Sequence, residues 1–126
     1  MELTAYFDQG NKVIVVESVG EVNTENIKAT ATKALELSKQ HNNNLLLFDI
    51  TKCSVGQSAT QGFQDMQNMS ETTGLTLDYK SAIVYDPNIY PTDRARFIEN
   101  VVFNRGNQRF KVFTDRHEAL KWLKKD

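Results

Sequence analysis

One cysteine and two histidines are the obvious reactive side chains of this 126-residue sequence. Cys53 follows an apolar segment and precedes a helix-forming one, a place where a helix N-terminus lowers a thiol pKa. No base is spaced beside it, so the surroundings favour a small packing thiol over a nucleophile. Asp49, late in the same apolar segment, is expected near the C-terminal rim of a sheet. There a carboxylate can bind a cation or act as a base, but more commonly accepts hydrogen bonds from the loop that follows. His117 falls in the first turn of the last helix, where the positive helix end disfavours protonation, and it reads as solvent-facing. His41 and His117 are far apart, and with one cysteine they make no zinc spacing. Gly56–Gln57–Ser58–Ala59–Thr60 has a threonine where a nucleophile elbow needs its second glycine. Neither a dinucleotide nor a nucleoside-triphosphate glycine loop occurs. The expectation is a non-enzymatic protein with no cofactor and no metal.

The elements that would position these residues are legible. Leu3–Phe7 and Val13–Val16, the latter continued by Ser18–Val19, read as a hairpin across the turn cluster Asp8–Asn11. Asn23 or Thr24 caps a helix whose inner stripe is Ile27, Ala31, Ala34, Leu35 and Ser38, and His41–Asn44 stops it. Leu45–Ile50 is a continuous apolar strand, the pattern of one covered on both faces. A second helix runs from about Ser58 to Thr72, with Ala59, Gly62, Phe63, Met66 and Met69 inward and Gly62 permitting close approach to the sheet. Tyr79–Tyr85 is a strand, and Asp86–Pro91 a stiff connector. A third helix over about Thr92–Asn104 buries Ala95, Phe97, Ile98, Val101 and Val102. Phe110–Phe113 is the last strand. Asp115 and Glu118, at capping-box spacing, open a final helix that packs Ala119, Trp122 and Leu123, with Trp122 reading as core. The order β-β-α-β-α-β-α-β-α implies one α/β domain over residues 1–126. Its mixed, mainly parallel sheet carries an antiparallel N-terminal hairpin, with the helices packed on it.

A net charge of −1 gives no general attraction to nucleic acid or to an anionic membrane. The longest apolar run, Leu45–Phe48, is far below the ~20 residues of a membrane span, and the N-terminal residues show no secretory apolar region. A single cysteine suits a reducing cytosol. The near-neutral total conceals an asymmetry. Residues 1–86 hold six basic and eleven acidic side chains, whereas residues 87–126 hold nine and five. All five arginines lie in that last part. On a helical wheel Phe103 stands about 150° from the inner stripe of the third helix, close in angle to Arg96. With Arg94, Arg105 and Tyr90 it makes a candidate basic, aromatic interaction surface for a partner protein or a second copy of the chain.

The runs Ala95–Arg96–Phe97–Ile98–Glu99–Asn100 and Arg109–Phe110–Lys111–Val112–Phe113–Thr114–Asp115, then Glu118–Ala119–Leu120–Lys121–Trp122–Leu123, resemble the SpoIIAA-like family. These are small proteins with a STAS/Sec14-like fold. The resemblance extends back through Leu46–Ile50 and Ser81–Tyr85. It implies either of two activities. STAS domains dock onto partner proteins, and their signalling members carry a phosphorylatable serine opening the helix after the Asp49-containing strand. Ser58 or Thr60 can stand in for that serine, although the motif's Asp and Gly are absent and its second Ser has become Ala59. Phosphate at a helix N-terminus is favourable. Sec14-like domains instead enclose an apolar ligand between sheet and helices. The lightly packed second helix, with Phe63, Met66 and Met69 inward, is the candidate wall of such a pocket.

Overall fold

A computed structural model describes residues 2–68, 71, 74, 78–104 and 109–125, without the side chains of residues 102–104. The elements in order are β1 (Glu2–Asp8), β2 (Val13–Val22), α1 (Thr24–His41), β3 (Leu45–Val55) and α2 (Ala59–Gln67). They continue with β4 (Lys80–Val84), α3 (Thr92–Asn104), β5 (Phe110–Phe113) and α4 (Arg116–Lys124). The expected order is reproduced. Asn23 caps α1 by accepting the Asn26 N–H at 2.9 Å, and Asn42 ends it in the left-handed region at φ 49°. Asp115 caps α4 by accepting the His117 N–H at 2.8 Å.

The five strands stand side by side in chain order, β1 antiparallel to β2 and all later pairs parallel. A sheet that grows in one direction through right-handed crossovers keeps its crossover helices on one face. The packing follows that rule. Ile14, Val16, Leu46 and Phe48 pack under α1 against Ala34. Met66 of α2 and Val101 of α3 meet Ile83 and Val112 on the same side. The opposite face, with Val13, Val15, Leu47, Ala82 and Val84, is covered by Ala119 and Leu123 of α4.

β3 departs from expectation. It continues five residues past Ile50, so Asp49 is mid-strand and Cys53 lies within the strand. Glu17 pairs with Asp49 but Val19 with Lys52, so Ile50 and Thr51 together stand opposite Ser18. This bulge switches the side-chain alternation, and Ile50 and Cys53 consequently face the same side, under α1. Asp49 accepts the Thr51 N–H and hydroxyl at 3.0 and 2.7 Å, satisfying itself at the bulge. Gly56, just after the strand, has no room for a side chain, since a Cβ there would lie 2.6 Å from Glu21 Cβ.

Four inner-face expectations are corrected. Phe63 and Phe97 are 36% and 37% exposed, their rings 6.1 Å apart at the α2–α3 junction. Ala59 is exposed at the start of α2. Gly62 is buried, yet its neighbours are Gln57 and Arg94 rather than the sheet, because α2 leans on α3.

Candidate functional site

Above the sheet, α1, α2 and α3 do not close on one another completely. Ile27 and Ala31 of α1, Met66 of α2, and Ala95 and Ile98 of α3 roof a cavity of about 100 Å³. Phe48, Ile50, Ile83 and Val112 form its floor. Val22 and Tyr90 complete the apolar wall, and Thr30 contributes a hydroxyl that donates to the Asn26 carbonyl at 2.8 Å. The α2 side of the roof is seated by polar contacts. Asp65, 3% exposed, accepts the Thr24 hydroxyl at 2.7 Å and the Gln61 amide at 2.9 Å. Arg94 Nη2 donates to the Gln57 carbonyl at 3.1 Å, tying α3 to the turn before α2. Asp65 escaped the sequence reading, although it stands three residues after Gly62 and one before Met66, within the inner stripe.

Of the pocket residues expected from the sequence, Met66 lines the cavity, Phe63 lies outside it and Met69 lies outside the described residues. The interaction surface is not assembled as expected. Tyr90 is 2% exposed and packs edge-on against Tyr85 beside Ala95, so it is core and not surface. Desolvation raises its pKa, only partly opposed by Arg94. Arg94 is half-buried at Gln57. Arg105 and the Phe103 side chain lie outside the described residues. Arg96 is exposed and borders a cleft of about 390 Å³ whose charged lining is Glu99, Lys111, Asp115 and Glu118 and whose apolar lining includes Val112 and Phe113. Two cations and three carboxylates there give no single-sign field. Ser58 and Thr60 are both exposed at the start of α2, and Ser58 Oγ caps the helix by accepting the Gln61 N–H at 3.1 Å.

Cys53 is 1% exposed and its thiol donates to the Ser18 carbonyl at 3.4 Å. Burial raises its pKa, the Asp49 charge adds to the rise, and the Gly20 N–H opposes it. His117 is exposed, as expected. Arg116, on the α4 side of the sheet, donates to Glu17 at 2.8 Å, Asp49 at 3.1 Å and the Tyr6 hydroxyl at 2.8 Å. Burial works against its charge, but Glu17 and Tyr6 outweigh it and hold the guanidinium above its ordinary pKa. Among the described residues no helix is long and apolar enough to cross a membrane.

No family profile and no curated protein matches the sequence. Among solved structures the chain is similar to one from Shewanella loihica, described as an uncharacterized protein from the DUF3478 family with a SpoIIAA-like fold. The two share 22% identity over 97% of this chain and 92% of that one, with a TM-score of 0.55. The SpoIIAA-like fold implied by the C-terminal runs is therefore the fold of this chain.

Proposed function

We propose that this SpoIIAA-like chain is a non-enzymatic, cytosolic binding domain, and that its working site is the apolar cavity beneath α1, α2 and α3. The observation that carries the reading is an almost wholly apolar lining around space left open by three helices. Interiors pack to crystal-like density with few voids, and apolar space of this size admits small apolar molecules. The volume sets the ligand class. It is of the order of the ~150 Å³ engineered cavity that accepts benzene, so a single ring or a short branched alkyl group fits and an extended acyl chain does not. Methyl-resolved NMR with toluene tests this. Saturable shifts at Ile27, Ile50, Ile83 and Val112 are expected, and an unchanged spectrum at millimolar toluene sinks the reading.

A second reading, contact with a partner protein, rests on the exposed Phe63–Phe97 pair. Its partner would present apolar side chains to the rings and a carboxylate to Arg96. Phe97→Asp should then abolish a pull-down that Lys33→Glu, on the outer surface of α1, leaves intact. Equal recovery with both variants counts against that surface.

A further inference from the structure

Beside the cavity is an annex of about 30 Å³ that shares Val22, Ile27, Thr30 and Ile50 with it and adds Ser18, Glu21, Asn26 and Cys53 to its lining. Ser18 is 5% exposed, and its Oγ is the one buried side-chain polar atom among the described residues without a hydrogen-bond partner. Such a group is costly to leave unpaired. Its polar neighbours spend their protons elsewhere: the Thr30 hydroxyl donates to the Asn26 carbonyl, the Asn26 amide to the Glu21 carbonyl and the Cys53 thiol to the Ser18 carbonyl. Ser18 is also the residue opposite the β3 bulge, and bulges re-aim side chains beside binding sites.

We propose that cavity and annex form one site for a small neutral molecule with a ring-sized apolar body and a single hydroxyl head, the head hydrogen-bonded to Ser18 Oγ. This rests on the cavity being the working site and narrows its ligand. Glu21 is the one charged side chain lining the annex. A carboxylate head would face that charge with no cation to receive it. An ammonium head would be stripped of water with only the solvent-exposed Glu21 as partner. Fatty acids and amines are therefore disfavoured relative to phenols and short alcohols.

Phenol, toluene and benzoate, titrated separately and followed by NMR, provide the test. Phenol should bind at least as tightly as toluene despite its stronger hydration, and benzoate should not bind. Ser18→Ala should weaken phenol about fivefold to tenfold, the effect of one hydrogen bond, and leave toluene unchanged. In the unaltered protein, phenol should give nuclear Overhauser contacts to Ile50 and to the β-protons of Ser18, a readout that does not depend on the variant folding. If phenol is insensitive to Ser18→Ala, or toluene binds and phenol does not, the head-group assignment is overturned while the cavity stands. If neither compound binds, the cavity reading falls and takes this inference with it.

Discussion

At Cys53, surroundings override chemical type. A thiol held 1% exposed with a raised pKa stays protonated where a free one ionises. The folded state binds this proton more tightly than the unfolded chain does. Its contribution to stability is thus intact below about pH 8.5, the pKa of a free thiol, and is lost as pH rises through the raised native value. Urea unfolding from pH 7.5 to 10.5 should show stability falling at the alkaline end. Cys53→Ala should flatten that fall, leaving the part due to Tyr90, whose pKa is also raised by burial. At other single residues expectation and structure differ for a geometric reason. At 100° per residue, Phe63 and Phe97 each lie roughly 100° from the middle of the stripe their helix buries, Gly62, Asp65 and Met66 in α2 and Ala95 and Val101 in α3. That angle puts them on the flank, where they meet each other across α2 and α3. Asp65 belongs to the buried stripe of α2. Apolar type placed the phenylalanines inward and charge hid the aspartate, and counting Phe63 as inner turns the apparent stripe away from Asp65.

At the level of elements, strand and helix order was readable from end to end because each segment has its own periodicity and its own stop. The length of β3 was not. Beyond Ile50 the alternation breaks, and Thr51–Val55 carries no apolar run to announce a strand; pairing to β2 across a bulge supplies what local pattern does not. α2 is the element on which the cavity depends most. It has nine residues, one buried methionine, and a buried carboxylate joining it to the start of α1. Asp65→Ala removes the acceptor of the Gln61 amide and leaves the Thr24 hydroxyl only its longer, 3.4 Å contact to Gln57 Oε1. This should cost about 1–3 kcal/mol. The loss should show as faster amide exchange across residues 59–67, with exchange in β2 and β3 little changed. Uniform acceleration across the sheet would mean that α2 is not an independently opening unit.

Across the whole molecule, the fold joins the two ends of the charge asymmetry at one arginine. Arg116, from the basic C-terminal part, reaches Glu17 and Asp49 in the acidic N-terminal part, fastening the start of α4 to β2 and β3. Sequence counts exposed the imbalance, but only the sheet order brings these residues together. The same order leaves β1 and β5 as the two sheet edges. On α3, the Glu99 carboxylate accepts the Val112 N–H of β5 at 2.7 Å, so an outward amide of a four-residue edge strand is already occupied. Edge strands with unpaired amides are templates for strand addition between molecules. Glu99 therefore acts as a guard against intermolecular sheet growth. Glu99→Ala should raise the rate of thioflavin-positive aggregation at high concentration well beyond that of Glu36→Ala on the exposed surface of α1. Equal rates would show that the edge is protected by its shortness alone. Among the described residues the outward amide of Val112 is covered by one acidic side chain, which takes no part in lining the cavity, so the solubility of the β5 edge and the binding of a ligand are set by different residues.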